Sequence, residues 1–460
     1  MSIISRAVSV SFILGSCHLF AAGLSLPEAL ELLEHQNLEI KAASLDIQSA
    51  HSDVKIARGY HFGSLDFTET MSRSNDAGNV FGFKLSSREA DFGDFGFSDF
   101  LACQSATPPA YCADVLGRQP RDLNYPGYQN YFQSKLTYTL PIFTGGKLSG
   151  YTDISEKMEK IKKLDADKVK TEKIYETRKS YYDMALLQHS IDQMYIIRDN
   201  IATLENTTRM MIKEGYAKKV DLLEVQAKKS NVERTLVEME SNKKLLYHYI
   251  SFLLNQNVNE IVLPTDDRAP EELDEAQVLA NNVDLQKASE GLKIRESMVG
   301  LAYAPFLPQI GAFAEASSAD NTFLGNFADH KAYTIGAKLS WNLFNGNVDG
   351  AAFEKARIEK LKTATQVELA KKGIALQYDK IRTDIESLDS QVKSLEKELE
   401  LVNAIYKNYE GRYHEHLVSM SDVIIKQSMQ IEKILNLQMV KNQRNERIFA
   451  LDKLSNGAKQ

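Results

Sequence analysis

An internal duplication constrains this chain more than any other feature of its sequence. A shift of 201 positions aligns Leu136–Gly145 with Ala337–Gly346, and this alignment continues without a gap for about 90 residues. Further upstream the shift becomes 245, and it aligns Asn37–Ile40 with Asn282–Leu285. Because a repeated sequence folds as a repeated supersecondary unit, the 460 residues form two copies of one unit rather than a series of independent domains.

Each copy is predicted to run in the order helix, strand, loop, strand, long helix, turn, helix. Apolar Leu136, Tyr138 and Leu140 alternate with polar Lys135 and Thr137, which is typical of a strand with one apolar face. The helices that open the copies are each predicted to be continuous, over Pro27–Arg58 and Glu275–Tyr303. The predicted strands cover about 62–73, 129–140, 308–318 and 332–343. The predicted segments are 24–256 for the first copy with a loop at 74–128, 257–274 for an equatorial linker, 275–456 for the second copy and 457–460 for a tail.

The long helices carry a heptad pattern of apolar side chains. In the second copy these side chains step by three and four residues from Ile385 to Tyr413, with charged residues at many positions between them. A strict 3.5-residue period predicts a coiled-coil seam, since an ordinary amphipathic helix drifts away from it over this distance. The fold class is therefore mostly α, with long antiparallel coiled-coil helices and four strands per chain.

The N-terminus has the features of a secretory signal peptide. Arg6 precedes the apolar run Ala7–Leu14, and the small residues Ala21–Gly23 resemble a cleavage site, so residues 1–23 are predicted to be removed. Leu14–Cys17 also satisfies a lipobox pattern, and acylation of Cys17 is the alternative to ordinary cleavage near Gly23.

Two further cysteines can form a disulfide if the chain is exported. Cys103 and Cys112 flank a short segment that contains Pro108 and Pro109. In an oxidising compartment this arrangement favours a disulfide-closed loop. The alternatives are a metal site and a reactive thiol, and both are weaker. No further metal ligands lie nearby in the sequence, and the cysteines have neither a CxxC motif nor a basic partner.

Composition excludes several classes of protein. The formal net charge of −7 disfavours a nucleic-acid binder, and no apolar run of 18 residues follows the first 25, so no spanning helix is predicted. None of the motifs GxSxG, HExxH, Walker A or GxGxxG occurs in a suitable context, so neither an enzyme nor a metal or cofactor site is expected. An exported, trimeric coiled-coil structural or adhesion protein without channel activity remains an alternative, although it leaves the paired strands unexplained.

Four strands are too few to close a barrel, which needs about eight or more. An open sheet edge is excluded from a membrane, because its unpaired backbone groups have no water to bind. A trimer would supply twelve strands and would close both a barrel and a cylinder of helices. Such a water-filled tube would have the composition of a soluble protein.

Several motifs resemble those of the TolC-like outer-membrane efflux family, in the same order in both copies. These segments are Ser25–Ala43, LPIFTGGK at Leu140–Lys147, Glu214–Gln226, Ala304–Gly311, WNLFNGN at Trp341–Asn347 and Val418–Gln427. The resemblance covers nearly the whole mature chain. It implies a trimeric twelve-stranded β-barrel in the outer membrane of a Gram-negative bacterium, continued by a large periplasmic α-helical tunnel. Such a protein is the exit duct of a tripartite efflux pump or a type I secretion system. Its partners would be outer-membrane lipid, a periplasmic adaptor and an inner-membrane transporter of the RND, ABC or MFS type.

The resemblance also implies roles for individual residues. Asp422 matches an acidic position that rings the periplasmic constriction, and Asp221 with Tyr413 matches a polar link that holds the entrance closed. Helix capping is the alternative role for both aspartates. Val418 stands where some members have a gate arginine, and Ile425 replaces a second acidic position. The residues that match the adaptor-docking tips are Gly215, Tyr216 and Ala217 in the first copy and His416, Leu417 and Val418 in the second.

The loop 74–128 lies where the family has an extracellular loop. Its phenylalanines are expected to pack either over the barrel mouth or against lipid headgroups.

Overall fold

A computed structural model describes residues 23–264, 273–325 and 328–456. Cys17 and nearly all of the predicted signal peptide lie outside the described residues, as do 265–272 of the predicted linker and the tail 457–460. The described helices and strands confirm the predicted combination of long helices and four strands. The helices are α1 Leu26–Gln36, α2 Leu38–Gly59, α3 Ala77–Ser86, α4 Phe97–Ala102, α5 Arg121–Asn124, α6 Lys147–Lys213, α7 Lys219–Leu254, α8 Glu275–Asn281, α9 Val283–Tyr303, α10 Val348–His414 and α11 Met420–Leu454. The strands are β1 Ser64–Ser74, β2 Gln129–Phe143, β3 Gln309–Asp320 and β4 Lys331–Ser340.

No described helix combines the length and the apolar character that are required to cross a membrane.

The described residues form two compact units, and the long helices contribute to both. One unit comprises residues up to Ile47, Ile161–Ser289 and Gln366 onward, and it is helical. The other comprises Gln48–Lys160 and Glu290–Thr365, and it contains the sheet.

The sheet has four antiparallel strands in the order β1-β2-β3-β4. Ser64 pairs with Thr139 at one end of the β1–β2 ladder, and Ser74 pairs with Gln129 at the other. β4 ends at Ser340, so the predicted strand residues 341–343 lie beyond it. The predicted loop 74–128 contains the three short helices α3, α4 and α5.

The helices that open the two copies are each interrupted, which corrects the prediction that they are continuous. Asn37 separates α1 from α2, and Asn282 separates α8 from α9, with extended backbone at both asparagines. The Asn37 amide oxygen accepts from the backbone N–H groups of Glu39 and Ile40, while its NH₂ group donates to the carbonyl of Leu253 at 2.8 Å. The side chain thus caps the following helix and fixes it to a third one.

The same arrangement recurs in the second copy. The Asn282 oxygen accepts from Leu285 N–H, and its NH₂ group donates to the carbonyl of Leu454 at 3.0 Å. Leu454 follows Leu253 by 201 residues, and Asn282 follows Asn37 by 245. The duplication read from the sequence is therefore repeated in the hydrogen bonds.

Three apolar clusters hold the helical unit together, and two of them are equivalent. One surrounds Leu33, Met184 and Leu253, and its counterpart surrounds Val278, Ile385 and Leu454. The third cluster joins both copies, because it combines residues of α6, α7, α10 and α11. The heptad residues Tyr406 and Tyr413 belong to this third cluster, which is called the entrance cluster below.

Candidate functional site

One face of the sheet is apolar and exposed. Leu65 and Phe67 of β1 stand opposite Tyr138 and Leu136 of β2. On β4, Tyr333 and Ile335 are 82% and 76% exposed. Glu69 and Ser134 interrupt this face, and they are hydrogen-bonded to each other. An apolar surface of this extent is unfavourable in contact with water, so this face favours an apolar environment.

The opposite face of the same strands is polar. Side chains alternate between faces along a strand, which places Lys135 and Thr137 on the side away from Leu136. The Lys135 ammonium lies 2.9 Å from the Glu315 carboxylate, across β2 and β3. Asp66, opposite Thr137, lies on this face too. A sheet with one apolar and one charged face separates lipid from water.

Aromatic side chains mark the end of the sheet at which the long helices begin. The Tyr138 hydroxyl donates to the Phe62 carbonyl at 2.8 Å, and the Trp341 indole N–H donates to the Phe306 carbonyl at 3.1 Å. The rings of Phe62, Trp341 and Phe344 are exposed. Amphipathic rings at this level are typical of a membrane–water interface.

The predicted docking tips are two equivalent turns, one between α6 and α7 and the other between α10 and α11. Gly215 and His416 occupy matching positions with φ of +84° and +65°. Tyr216 N–H donates to the Met211 carbonyl, and Leu417 N–H donates to the Arg412 carbonyl in the same way. A left-handed residue followed by this hydrogen bond is the Schellman end of a helix.

The structure brings the two tips together. The rings of Tyr216 and His416 are stacked, with centroids 4.6 Å apart. Tyr216 and Leu417 remain exposed, whereas Ala217 and Val418 are half-buried against the entrance cluster.

Both aspartates of the predicted gate cap helices. The Asp422 carboxylate accepts from the Ser419 hydroxyl at 2.6 Å and from the Ser419 N–H at 3.1 Å, which together hold the pKa of Asp422 below its ordinary value. Asp221 accepts from Lys218 N–H at 2.8 Å at the equivalent position. Capping does not exclude a gating role, because a carboxylate that accepts hydrogen bonds keeps its negative charge.

Tyr413, the third predicted gate residue, lies within the entrance cluster. Its hydroxyl is 3.4 Å from that of Thr208, and burial together with the negative charge of Asp221 raises the pKa of Tyr413. The starts of α7 and α11 are linked by Ser421, whose hydroxyl donates to Glu224 at 2.6 Å. The predicted gate residues therefore lie at one end of the helical unit.

The first copy contains a charged cluster that was not predicted from the sequence. Glu205 on α6 accepts from Arg209 at 2.6 Å, from Gln226 at 3.1 Å and from Lys229 at 3.1 Å, and these three donors lower its pKa to about 2. A carboxylate within an apolar heptad region was the available signal. In the second copy the equivalent of Glu205 is Tyr406.

The second copy contains a buried glutamine amide that was also not predicted from the sequence. Gln427 is the equivalent of Gln226 and is fully buried. Neither polar atom of its side chain has a hydrogen-bond partner in the part of the chain that the structure describes. Of these two equivalent glutamines, Gln226 donates a hydrogen bond to Glu205, whereas Gln427 has no partner among the described residues.

The predicted disulfide is present, since Cys103 and Cys112 are bonded with their Cα atoms 5.2 Å apart. Within the described ranges, no group of three or more His, Cys, Asp or Glu side chains is placed to hold a metal ion.

Comparison with known proteins gives a family match and a shared fold. Residues 276–457, nearly the whole second copy, match the outer membrane efflux protein family. No curated protein sequence matches the chain.

Solved structures of outer-membrane proteins share the fold over 94% of this chain. The CmeC outer membrane channel of Campylobacter jejuni is 14% identical, with 86% of its own chain covered and a TM-score of 0.75. The outer membrane protein VceC of Vibrio cholerae is 15% identical, with 95% of its own chain covered and a TM-score of 0.72. The MtrE outer membrane channel of Neisseria gonorrhoeae in its open state is 13% identical, with 89% of its own chain covered and a TM-score of 0.74. The second copy thus matches the outer membrane efflux protein family, and nearly the whole chain shares the fold of solved outer-membrane channels.

Proposed function

We propose that the chain forms a trimeric exit duct, which carries solutes from the periplasm through the outer membrane. The two-faced sheet is the observation that carries this proposal. β1 and β4 are its free edges, and three copies of four strands would close them into a twelve-stranded barrel. The apolar face would then contact lipid, and the polar face with Lys135 and Glu315 would line the water-filled interior.

The duct would work as the outer component of a tripartite efflux pump or a type I secretion system. Its partners would be a periplasmic adaptor and, through it, an inner-membrane transporter. The exposed tips at Tyr216 and Leu417 support this assignment, because two equivalent turns per chain offer a sixfold docking surface in a trimer.

The gate is proposed to be a ring of three Asp422 carboxylates, with Asp221 and Tyr413 helping to hold the entrance closed. Three like charges around a narrow opening attract cations and repel anions. The position of Asp422 at the first turn of α11, beside the tip, supports this role.

A structural fibre without channel activity is the competing function. A fibre would explain the coiled-coil seams of the heptad helices, but it would leave the exposed apolar face of the sheet unexplained. Catalysis is not proposed, since neither the motifs nor the side-chain clusters of an enzyme site support it.

Fractionation and electrophoresis of the full-length protein separate these functions. A duct predicts a trimer in outer-membrane fractions that withstands detergent and dissociates on heating. It also predicts stable ion conductance when that trimer is added to a planar bilayer. A trimer that is recovered in the membrane but never conducts would favour the fibre.

A further inference from the structure

The segment between β1 and β2, residues 75–128, is folded on itself. Val80 of α3 is 3% exposed, and the Phe81 ring meets the Phe95 ring edge-on with centroids 5.4 Å apart. The Lys84 ammonium pairs with the Asp94 carboxylate. Together with the Cys103–Cys112 bond, these contacts give the segment a core of its own.

This segment packs on the polar face of the sheet. The Phe83 ring stacks on the Tyr131 ring with centroids 4.3 Å apart and only 9° between their planes. Tyr131 is four residues before Lys135 on β2, so both side chains lie on the same face. Tyr131 is 8% exposed, whereas Met71, on the apolar face at the same end of the β1–β2 ladder, is 60% exposed. The segment thus covers the face that is proposed to line the channel and leaves the lipid face open.

The segment also crosses the sheet from one strand pair to the other. The Arg88 guanidinium donates to the carbonyl of Lys331 at 2.6 Å, and Lys331 is the first residue of β4. Closer to β2, the Gln129 amide donates to the Glu89 carboxylate at 3.4 Å. Contacts to β2 and to β4 hold the segment over β3, which lies between them.

We infer that residues 75–128 form an inward-folded cap, which narrows the external exit and excludes bulky solutes from the duct. This inference rests on the proposed function, because a cap of this kind needs a channel to narrow. Stacking of Phe83 on Tyr131 and the Arg88 tether keep the cap over the opening. The cap therefore sets the width of the external exit.

Removal of the cap is the direct test. Ser74 and Gln129 are paired residues of β1 and β2, so a two-residue Asn-Gly turn can replace 75–128 and keep the strand register. Single-channel conductance in potassium chloride would be measured for trimers of the full chain and of this variant. Because conductance follows pore width, we expect a rise of about twofold or more.

Two point variants keep the test decisive if the deletion does not assemble. Arg88→Ala releases the tether and is expected to raise the mean conductance or its fluctuation. Arg121→Ala changes an exposed arginine of the same segment and should behave as the unaltered protein. Assembled trimers with unaltered conductance in the deletion, or in Arg88→Ala where the deletion does not assemble, would overturn the cap. Unaltered trimers that never conduct would instead contradict the proposed duct and the cap with it.

Discussion

At the residue scale, duplication supplies internal controls. Asp221 and Asp422 occupy the same position in the two copies, and each accepts hydrogen bonds at the start of a helix. Asp422 accepts from both the hydroxyl and the N–H of Ser419, whereas Asp221 accepts from the N–H of Lys218, and a capping interaction is worth about 1 kcal/mol. A difference between the two variants in ion selectivity would therefore report on gating and not on helix stability.

Asp422→Asn is predicted to weaken the preference for cations, while Asp221→Asn leaves more of it intact. The Ser419 hydroxyl and N–H hold the pKa of Asp422 below its ordinary value, so the carboxylate is charged at neutral pH. Reversal potentials in a potassium chloride gradient measure this preference. Equal potentials for Asp422→Asn and the unaltered protein would refute the acidic ring.

Asp183 on α6 is predicted to make stability depend on pH. Burial raises its pKa to about 6, and the nearby Lys179 only partly offsets this effect. The folded state therefore binds a proton more tightly than the unfolded chain, whose aspartate pKa is about 3.9. The stabilising contribution of that proton is complete below the unfolded pKa and is lost as the pH rises through about 6.

Asp183→Asn should accordingly raise the free energy of unfolding at pH 8 by roughly 1–3 kcal/mol, at about 1.4 kcal/mol per pKa unit, with little gain below pH 4. Thermal melts at the two pH values measure the change. Asp192→Asn is the control, because Asp192 lies on the same helix and is exposed. A pH dependence that survives in Asp183→Asn would assign the effect to another group.

At the element scale, the two helix pairs of the entrance differ in how well their polar groups are paired. Gln226 on α7 donates to Glu205 at 3.1 Å, whereas its counterpart Gln427 on α11 is buried without a partner among the described residues. An unpaired buried amide costs about 1–3 kcal/mol. The amide of Gln427 therefore destabilises the second helix pair at a position where the first pair is hydrogen-bonded.

Gln427→Met is predicted to stabilise the protein by about 1–2 kcal/mol, because methionine keeps the volume and removes the unpaired groups. Gln226→Met should destabilise it by a similar amount, since it deprives Glu205 of a hydrogen bond. Urea denaturation measures both. A loss of stability in both variants would show that Gln427 is satisfied in the assembled protein.

The sequence predicts some elements much better than others, for physical reasons. Heptads and alternation are local patterns, so α6, α10 and the four strands could be predicted closely. The break at Asn37 could not, because asparagine tolerates a helix and its partner Leu253 lies 216 residues away. The Glu205 cluster similarly depends on Lys229, which only the folded α6–α7 pair brings near.

The cap was the least predictable part of the fold. Its phenylalanines are compatible with a barrel mouth or with headgroups, and only the stacking of Phe83 on Tyr131 assigns α3 to the polar face. The gate and tip residues could be proposed only from the family resemblance, which the structure neither requires nor tests. The duplication adds that Gly215 and His416 are equivalent, and both adopt the left-handed backbone conformation despite their different side chains.

At the scale of the whole molecule, the unremarkable composition follows from the two-faced sheet and the long helices. Among the described residues the exposed apolar sheet surface is one face of four strands, and such a limited surface is compatible with a net charge of −7 and 25% charged residues. The central claim is that the other face lines a water-filled path.

Accessibility of substituted cysteines tests that claim most directly. Thr137 and Leu136 are neighbours on β2 that point to opposite faces. Trimers of Thr137→Cys and Leu136→Cys would each be recorded in a planar bilayer before and after a charged, membrane-impermeant thiol reagent. The duct predicts that the reagent reduces the current through Thr137→Cys and leaves Leu136→Cys unaffected. Block at Leu136→Cys without block at Thr137→Cys, or no current through either trimer, would contradict it.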